Sequence, residues 1–377
     1  MPAWVTVESP DNIADSTGTI DSIGTTGPTD RTSPSHTGPS HTGPSHTGPS
    51  HTGPSHTGPS HTGPSHTGPS HTDQDGSAPL PAYGYRDIDP DTARRASRFY
   101  WDDAAADYQS EHGAFLGDSD FCWCPEGLRE SEIGLLGDVA GKVVLEVGCG
   151  GAQCARWLRG QGARVVGFDL SGGQLDQARA LGIRTGIDVP LVQADATALP
   201  FAAASVDVAC SAFGAVPFVA DSGTVMREIA RVLRPGGRWV FSTTHPFVWC
   251  LPDDPDENGL RVFHSYFDRR AYTEHDEQGS AIYTETHRTM GDRVREIVAA
   301  GLILLDVIEP EWPPGQERAW GQWGPIRGGY VPSTSIFVTQ LPSGASGADQ
   351  HGCGAYQATD STPRRADTLC EQRPRVR

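Results

Sequence analysis

Residues 143–152 read Val-Val-Leu-Glu-Val-Gly-Cys-Gly-Gly-Ala. The apolar run at the start predicts a buried strand, and the glycines after it predict a tight turn in which the backbone can approach a ligand closely. The segment 152–160 that follows has helical character, and the free N–H groups at a helix start suit a polar ligand. Because a glycine-rich turn by itself is a weak indicator, its interpretation depends on the neighbouring strands.

Two further apolar runs each end in a carboxylate. The run 165–168 leads into Asp169, and the run 190–194 leads into Asp195. The carboxyl ends of neighbouring parallel strands meet at one edge of an open α/β sheet, and such sheets bind nucleotides at that edge. The three segments therefore predict a nucleotide-type site built from a glycine turn and two acids.

This set of motifs resembles the class I S-adenosylmethionine-dependent methyltransferases, and most closely their small-molecule, quinone-methyltransferase-like branch. The resemblance covers about residues 86 to 341, with Ala152 where the family often has a third glycine. It implies a Rossmann-like α/β fold: a doubly wound, seven-stranded, mostly parallel sheet with an antiparallel last strand, in a three-layer α/β/α arrangement. The matching stretches are 144–150, 167–171, 194–196, 199–201, 205–208 and 228–237.

Apolar periodicity and Gly or Pro breaks place the elements of this fold. Residues 245–290 do not fit the scaffold, and their aromatic and charged side chains predict a hairpin or lid inserted after the strand at 238–243. The predicted strands are 142–147, 164–169, 190–193, 206–211, 238–243, 302–308 and 334–340, and the predicted helices are 91–112, 128–136, 152–160, 171–181, 222–233 and 291–300.

The methyltransferase domain is predicted to span 86–342, between disordered tails at 1–85 and 343–377. A Pro-Ser-His-Thr-Gly repeat runs from Pro34 to Thr72 and contains no residue that can build a core. Its histidines are an alternative metal site, but a flexible five-residue spacing does not preorganise ligands, so a neutral linker is favoured. A start of translation downstream of the repeat is a further alternative.

Composition limits the partners. The formal net charge is −18, and an acidic protein is a poor partner for a phosphate backbone, so no nucleic-acid partner is predicted. The sequence lacks both a bilayer-spanning apolar run and a leader pattern, which predicts a cytoplasmic protein without stable membrane insertion. The cysteines lack zinc-ligand spacing and the acidic run 253–257 is interpreted as a solvated loop, so no metal is predicted. The oligomeric state is not predicted.

The resemblance implies S-adenosylmethionine as the cofactor. The glycine turn would contact the methionyl part, Asp169 would accept hydrogen bonds from the ribose hydroxyls, and Asp195 would accept one from the adenine amino group. Glu146 would hold the turn. The cofactor-binding residues implied are Glu146, Gly148, Gly150, Gly151, Asp169, Leu170, Asp195, Ala196 and Ser211.

Methyl transfer to a small-molecule acceptor is an in-line displacement, which needs alignment and desolvation more than proton transfer. His245, just past the strand at 238–243, is the candidate catalytic base for acceptors that must lose a proton, with a loop-stabilising role as its alternative. His264 and His287 are lesser candidates. Aromatic side chains predict a pocket for a flat or apolar acceptor, and the predicted substrate-binding residues are Tyr108, Trp123, Trp249, Tyr283 and Trp323.

Two other functions remain open. A nicotinamide-dependent oxidoreductase uses a similar sheet, but its dinucleotide fingerprint needs glycine where Gln153 stands. A non-catalytic cofactor-binding protein could keep the fold without turnover. The presence of Glu146, Asp169 and Asp195 together argues against a decayed pocket.

Deleting residues 1–80 is expected to leave affinity for S-adenosylmethionine unchanged, because the segment lacks side chains that could support a folded core. Titration calorimetry on the full chain and the truncated chain would measure this. A clear loss of affinity in the truncated chain would contradict the prediction that the tail is disordered.

Overall fold

Residues 82–343 are the part of the chain that this computed structural model describes. The predicted tails, including the histidine repeat, lie outside the described residues except at 82–85 and at 343. The strands are β1 (Tyr83–Arg86), β2 (Val143–Val147), β3 (Arg164–Asp169), β4 (Leu191–Gln193), β5 (Val206–Ala212), β6 (Leu233–Thr244), β7 (Ala271–His275), β8 (Ala281–Glu285), β9 (Ile303–Ile308) and β10 (Thr334–Gln340). The helices are α1 (Pro90–Leu116), α2 (Glu130–Ile133), α3 (Gln153–Gly160), α4 (Gly172–Thr185), α5 (Ser222–Val232), α6 (Met290–Ala299) and α7 (Pro325–Gly328).

The central sheet has seven strands in the order β4-β3-β2-β5-β6-β10-β9. Strands β2 to β6 pair in parallel, and β10 is antiparallel to both β6 and β9. The order reverses beside β2, which is the point where open α/β sheets form a ligand crevice. The predicted fold, a mostly parallel seven-stranded sheet with an antiparallel last strand, is confirmed.

Alternation along the strands produces a separate core on each face of the sheet. In β2, Val144 packs into one core and Leu145 into the other, and both are at most 1% exposed. The first core includes residues of α3 and α4, and the second includes residues of α5 and α6. Because both faces are covered, the strands are apolar on both sides, as in other parallel sheets.

Aromatic stacking stabilises the second core near β10. The rings of Trp239 and Phe241 are stacked at 5.2 Å, and those of Phe241 and Phe337 at 5.0 Å. All three side chains are fully buried. Large rings at these positions fill the space between the sheet and α5 and α6, where burial of apolar area stabilises the fold most.

Strands β7 and β8, from the segment after β6, join β1 in a small second sheet with the order β1-β7-β8. Strands β7 and β8 form the hairpin expected within 245–290. Strand β1 was not predicted, because its four residues Tyr-Gly-Tyr-Arg are too short to show a pattern and adopt a strand by pairing with β7. The proposed domain boundary at residue 85 falls inside this strand.

The predicted helix at 128–136 is wrong, since only the single turn α2 forms. Gly134 and Gly137 have φ values of 64° and 69°, which end a helix. The carboxylate of Glu130 then accepts hydrogen bonds from the backbone N–H groups of Leu135 at 3.0 Å and Leu136 at 2.7 Å. A side chain therefore satisfies donors that a longer helix would have satisfied.

No helix within residues 82–343 is both long enough and apolar enough to cross a bilayer.

Replacing Glu130 by Ala is expected to lower the free energy of unfolding by about 2–4 kcal/mol, because it leaves buried donors unpaired. The carboxylate also accepts from Trp123 Nε1 at 2.8 Å, and the residue is only 3% exposed. Urea unfolding would measure the change. Ser131→Ala, at an exposed position of the same turn, is the matched control and should change stability by less than about 0.5 kcal/mol.

Candidate active site

A cavity of about 1080 Å³, part of which is open to solvent, lies at the carboxyl edge of the parallel strands. Its floor is formed by the segments that follow β2, β3, β4 and β5, and helix α1 lines the opposite side. The predicted geometry of a glycine turn and two acids at one edge of the sheet is present, since Gly150, Asp169 and Asp195 all line this cavity.

The glycine turn after β2 is tightly packed. Gly148 has φ 65°, and a Cβ placed there would lie 2.6 Å from the backbone of Gly214. Gly150 also has positive φ, at 49°. Ala152, where the family often has glycine, has φ 56° and ψ 34°, a left-handed conformation that costs an L-residue about 1–2 kcal/mol. The turn therefore keeps its shape without the third glycine.

Glu146 supports the turn from below. It is 4% exposed, and its Oε2 accepts a hydrogen bond from the N–H of Ala155 at 2.8 Å, in the first turn of α3. Burial raises the pKa of the Glu146 carboxyl to about 8, although the Ala155 bond and the charge of Arg156 oppose the shift. The side chain therefore joins the end of β2 to the start of α3.

Asp169 joins two of the cavity loops. Its Oδ2 accepts a hydrogen bond from Gly150 N at 2.8 Å, and its Oδ1 accepts one from Ser171 N at 2.9 Å. Burial raises the pKa of this carboxyl, while the two N–H donors act against the shift. The carboxylate therefore fixes the glycine turn relative to the loop after β3.

One carboxylate oxygen of Asp195 is held by its own loop, and the other lies near α1. Its Oδ1 accepts from the N–H and the hydroxyl of Thr197, both at 2.8 Å. Its Oδ2 lies 3.7 Å from Nε of Arg94 on α1. The first pair of bonds orients the carboxylate toward the cavity.

Eight of the nine residues expected to bind the cofactor line the cavity, and Ser211 does not. The hydroxyl of Ser211 donates to Val147 O at 2.7 Å, so it links β5 to β2 inside the sheet, and Ala212 lines the cavity instead. The lining residues among those predicted are Glu146, Gly148, Gly150, Gly151, Asp169, Leu170, Asp195 and Ala196.

Helix α1 contacts each of the four loops that form the cavity floor. The helix and α4 are in close backbone contact, since a Cβ on Gly173 would lie 2.5 Å from Asp102 O. Asp102 Oδ1 also accepts a hydrogen bond from Gly173 N at 3.0 Å. The polar contacts are Arg94 with Asp195 after β4 (3.7 Å), Ser97 Oγ with Phe218 O after β5 (3.1 Å), Asp102 Oδ1 with Ser171 Oγ after β3 (2.8 Å) and Gln109 with Gln153 at the start of α3 (3.0 Å).

Aromatic rings form one wall of the cavity. Trp101 on α1 meets Tyr108 edge to face at 5.5 Å and Phe218 at 5.2 Å. The insert holds the loop that carries Phe218, because Thr286 donates from its N–H and its hydroxyl to Pro217 O, at 2.8 Å and 3.1 Å. The position of the Phe218 ring therefore depends on both α1 and the strand-bearing insert.

Of the five predicted substrate-binding aromatics, only Tyr108 lines the cavity. Trp123 is fully buried and donates to Glu130, so it belongs to the core. Trp249 is stacked on His287 at 5.1 Å, away from the cavity. Tyr283 and Trp323 contact the cavity indirectly, by packing against Phe218 at 6.4 Å and Phe213 at 5.5 Å.

His245 does not line this cavity either, and its role as catalytic base stays a prediction. Its Nδ1 accepts from Phe247 N at 3.1 Å, so its Nε2 carries the proton and donates to Glu309 at 2.8 Å. Burial lowers its pKa, with Glu309 opposing the shift. With both nitrogens engaged, His245 holds the loop after β6. It lines a smaller cavity of about 310 Å³ together with Trp249 and Glu285.

The sequence-based prediction missed Gln109, Asp120, Phe218 and Val219, all of which line the cavity. Gln109 lies on α1, and Asp120 lies in the segment after it. Their polar side chains were the only signal in the sequence that they could face a ligand. Phe218 and Val219 follow β5 but lie several residues beyond its end. Their position depends on the 3₁₀ turn Val216–Phe218, for which a short Val-Pro-Phe segment gives little warning.

Among residues 82–343, no three His, Cys, Asp or Glu side chains are placed to hold a metal ion. The six cysteines in this range are free thiols and are buried.

A family profile described as a methyltransferase domain matches residues 145–241. An uncharacterized methyltransferase from Mycolicibacterium vanbaalenii is 30% identical over 211 residues, covering 52% of this chain and 77% of that protein. The chain belongs to the class I S-adenosylmethionine-dependent methyltransferases. The predicted family is thereby confirmed.

Other methyltransferases match over shorter lengths. Methyltransferase GfsG from Streptomyces halstedii is 44% identical over 104 residues, which is 26% of this chain and 36% of that protein. A demethylmenaquinone methyltransferase from Thermus thermophilus is 35% identical over 143 residues, which is 37% of this chain and 61% of that protein. The chain thus spans between about a third and three fifths of the length of these two relatives.

The residues that line the cavity fit S-adenosylmethionine. The turn at Gly148 has no room for a Cβ, and Gly150 adopts a left-handed conformation, so the backbone itself forms the cradle for a ligand. Asp169 and Asp195 provide carboxylate oxygens at the ends of neighbouring strands, as hydroxyl and amino donors of a nucleoside require.

Asp102→Ala is expected to loosen helix α1, because it removes the bonds to Ser171 Oγ and Gly173 N. Hydrogen exchange of the α1 amides should become about 5–30-fold faster, which corresponds to about 1–2 kcal/mol of local stability. The exposed neighbour Asp103 provides the control, and Asp103→Ala should leave exchange unchanged. Equal exchange in the two variants would show that Asp102 does not fasten the helix.

Proposed function

We propose that this protein transfers a methyl group from S-adenosylmethionine to a small-molecule acceptor by in-line displacement. The observation that supports this most is the convergence of the glycine turn, Asp169 and Asp195 on one cavity that α1 covers. Membership in a methyltransferase family is consistent with the same activity.

Each side of the cofactor has a proposed partner in the chain. Asp169 accepts hydrogen bonds from the ribose hydroxyls, and Asp195 accepts from the adenine amino group with its Oδ2. Leu170 and Ala196 lie beside these acids and contact the base, while the backbone of 148–151 contacts the methionyl part. Bound S-adenosylmethionine supplies a methyl group that is activated for transfer by its sulfonium.

The chain contributes alignment and exclusion of water. Helix α1 covers the cavity, and the rings of Trp101, Tyr108 and Phe218 present apolar surface to the acceptor. Holding two reactants in line lowers the barrier by removing translational and rotational freedom before reaction. A dry cavity also keeps water from competing as the acceptor.

The acceptor is proposed to be a flat or apolar small molecule. Two relatives are named for quinone substrates, a demethylmenaquinone methyltransferase and a ubiquinone biosynthesis O-methyltransferase. The aromatic wall around Trp101 suits a ring compound of that general shape. The acidic composition argues against a nucleic-acid substrate, and a cytoplasmic location is part of the proposal.

The other two functions have less support. A nicotinamide cofactor needs glycine at the helix start, where the side chain of Gln153 instead bonds Gln109 across the cavity at 3.0 Å. A non-catalytic binding protein would have no need of an aromatic wall beside the cofactor region. Titration calorimetry with S-adenosylmethionine and with NAD distinguishes the proposed function from the oxidoreductase. Turnover assays over several acceptor classes distinguish it from the non-catalytic binding protein. Binding of NAD without binding of S-adenosylmethionine would overturn the proposal.

Asp169→Ala is expected to weaken S-adenosylmethionine binding by about 100–1000-fold, or about 3–4 kcal/mol, which corresponds to two hydrogen bonds to a charged group. The loss has a second component, because Gly150 N and Ser171 N lose their acceptor. Titration calorimetry measures the affinity, on variants whose thermal unfolding midpoint matches that of the unchanged protein. Asp176→Ala, on the exposed face of α4, is the control and should bind normally. Unchanged affinity in Asp169→Ala would contradict the assignment.

A further inference from the structure

The charged side chains that line the cavity are all acidic. They are Asp120, Glu146, Asp169 and Asp195, and within residues 82–343 no Arg, Lys or His side chain is part of the lining. A site for a carboxylate or a phosphate normally offers a guanidinium, an ammonium or a row of free N–H groups. The acceptor side of the cavity, around Trp101 and Asp120, therefore offers no cationic side chain from residues 82–343 to an anion.

The cations near the cavity pair with protein groups. Arg94, on the adenine side, lies 2.8 Å from Asp91 and 3.7 Å from Asp195. Arg129 lies behind Asp120, where its Nη1 is 3.0 Å from Oδ2 and its guanidinium lies 5.0 Å above the ring of Phe115. Arg156 is 1% exposed and donates to the carbonyls of Asp118, Gly151 and Ala178. The Arg129 and Arg156 guanidiniums bind protein groups and do not offer a free donor to a ligand.

Perpendicular aromatic rings occupy the uncharged wall. Trp101 meets Tyr108 at an interplanar angle of 84° and Phe218 at 74°. Rings in this arrangement present both faces, which carry partial negative charge, and edges, which carry partial positive charge. A ring face turned to the cavity favours a cation, as the acids do.

We infer that the methyl acceptor is a flat ring compound that is neutral or positively charged and carries no carboxylate, phosphate or sulfate. The inference rests on the proposed function, since it assigns this part of the cavity to an acceptor. The inference excludes substrates that would place an anionic carrier, or the charged part of a nucleotide conjugate, inside the cavity.

Asp120 is the acid that faces the acceptor. Glu146 and Asp169 are bound to backbone N–H groups of the cofactor region, and Asp195 belongs to the adenine side. Asp120 follows α1, and each of its oxygens has one protein partner, Phe121 N at 2.7 Å and Arg129 at 3.0 Å. A carboxylate oxygen accepts more than one hydrogen bond, so Asp120 can still receive a donor from the acceptor. It is a specificity-determining residue.

Three matched probes test the charge class: 2-naphthylmethylammonium, 2-naphthylmethanol and 2-naphthoate. Calorimetry measures their affinity for the full chain saturated with S-adenosylhomocysteine. The cation and the alcohol should bind at least about tenfold more tightly than the carboxylate, because an anion gains no partner and is repelled by Asp120. Failure of S-adenosylhomocysteine itself to bind would refute the proposed function, which is a separate result.

Variants at one position identify the residue responsible. Asp120→Asn should reduce the preference for the cation over the carboxylate by at least about threefold, and Asp120→Glu, which keeps the charge, should retain it. Asp118→Asn is the matched control, because Asp118 pairs with Arg184 outside the cavity. Equal or tighter binding of 2-naphthoate overturns the inference, and so does the absence of binding by all three probes to protein that holds S-adenosylhomocysteine. An equal change in Asp118→Asn and Asp120→Asn overturns the role of Asp120.

Discussion

The cavity depends on one partly buried carboxylate. Asp169 accepts hydrogen bonds from Gly150 N and Ser171 N, and so fixes the loops after two neighbouring strands relative to each other. A buried acid is costly unless its oxygens are satisfied, and here backbone donors from both loops satisfy it. This arrangement sets the positions of the glycine turn, of the start of α4 and of α1, which contacts Ser171. A cofactor contact at the same residue would therefore add to an existing structural role.

Much of the fold follows from patterns that the sequence displays. Strand alternation such as Val144 to Leu145, with both residues apolar, identifies a sheet covered on two faces, and the acids at strand ends identify the functional edge. The failures occur where local pattern and tertiary contact disagree. Strand β1 exists because β7 offers an edge, and the helix predicted after residue 128 ends early because Glu130 replaces its backbone acceptors.

The two halves of the candidate site differ in how well sequence predicts them. Residues expected at the cofactor are located by topology alone, since a residue at the end of a parallel strand reaches the same edge in any such sheet. The acceptor wall has no comparable rule. Trp123 and Trp249 are conspicuous in the sequence but pack into the core and the insert. Phe218 is instead positioned by Thr286, just after β8, which donates to the backbone oxygens of Pro217 and Val219. Aromatic content indicates a pocket but does not identify its members.

The pairing of β1 with β7 has a mechanical consequence for α1, the helix that covers the cavity. Only three residues separate β1 from Pro90, the first residue of α1, so the amino end of the helix is tethered to the insert. Its carboxyl end passes into a loop at Gly117, which has φ 75°. That end is held by contacts as well, because Arg129 Nη2 donates to Phe115 O at 2.8 Å and His112 stacks on Trp320 at 3.8 Å. The helix that covers the cavity is therefore fastened at both ends, and moving it aside would break contacts with the insert, with Arg129 and with Trp320 together.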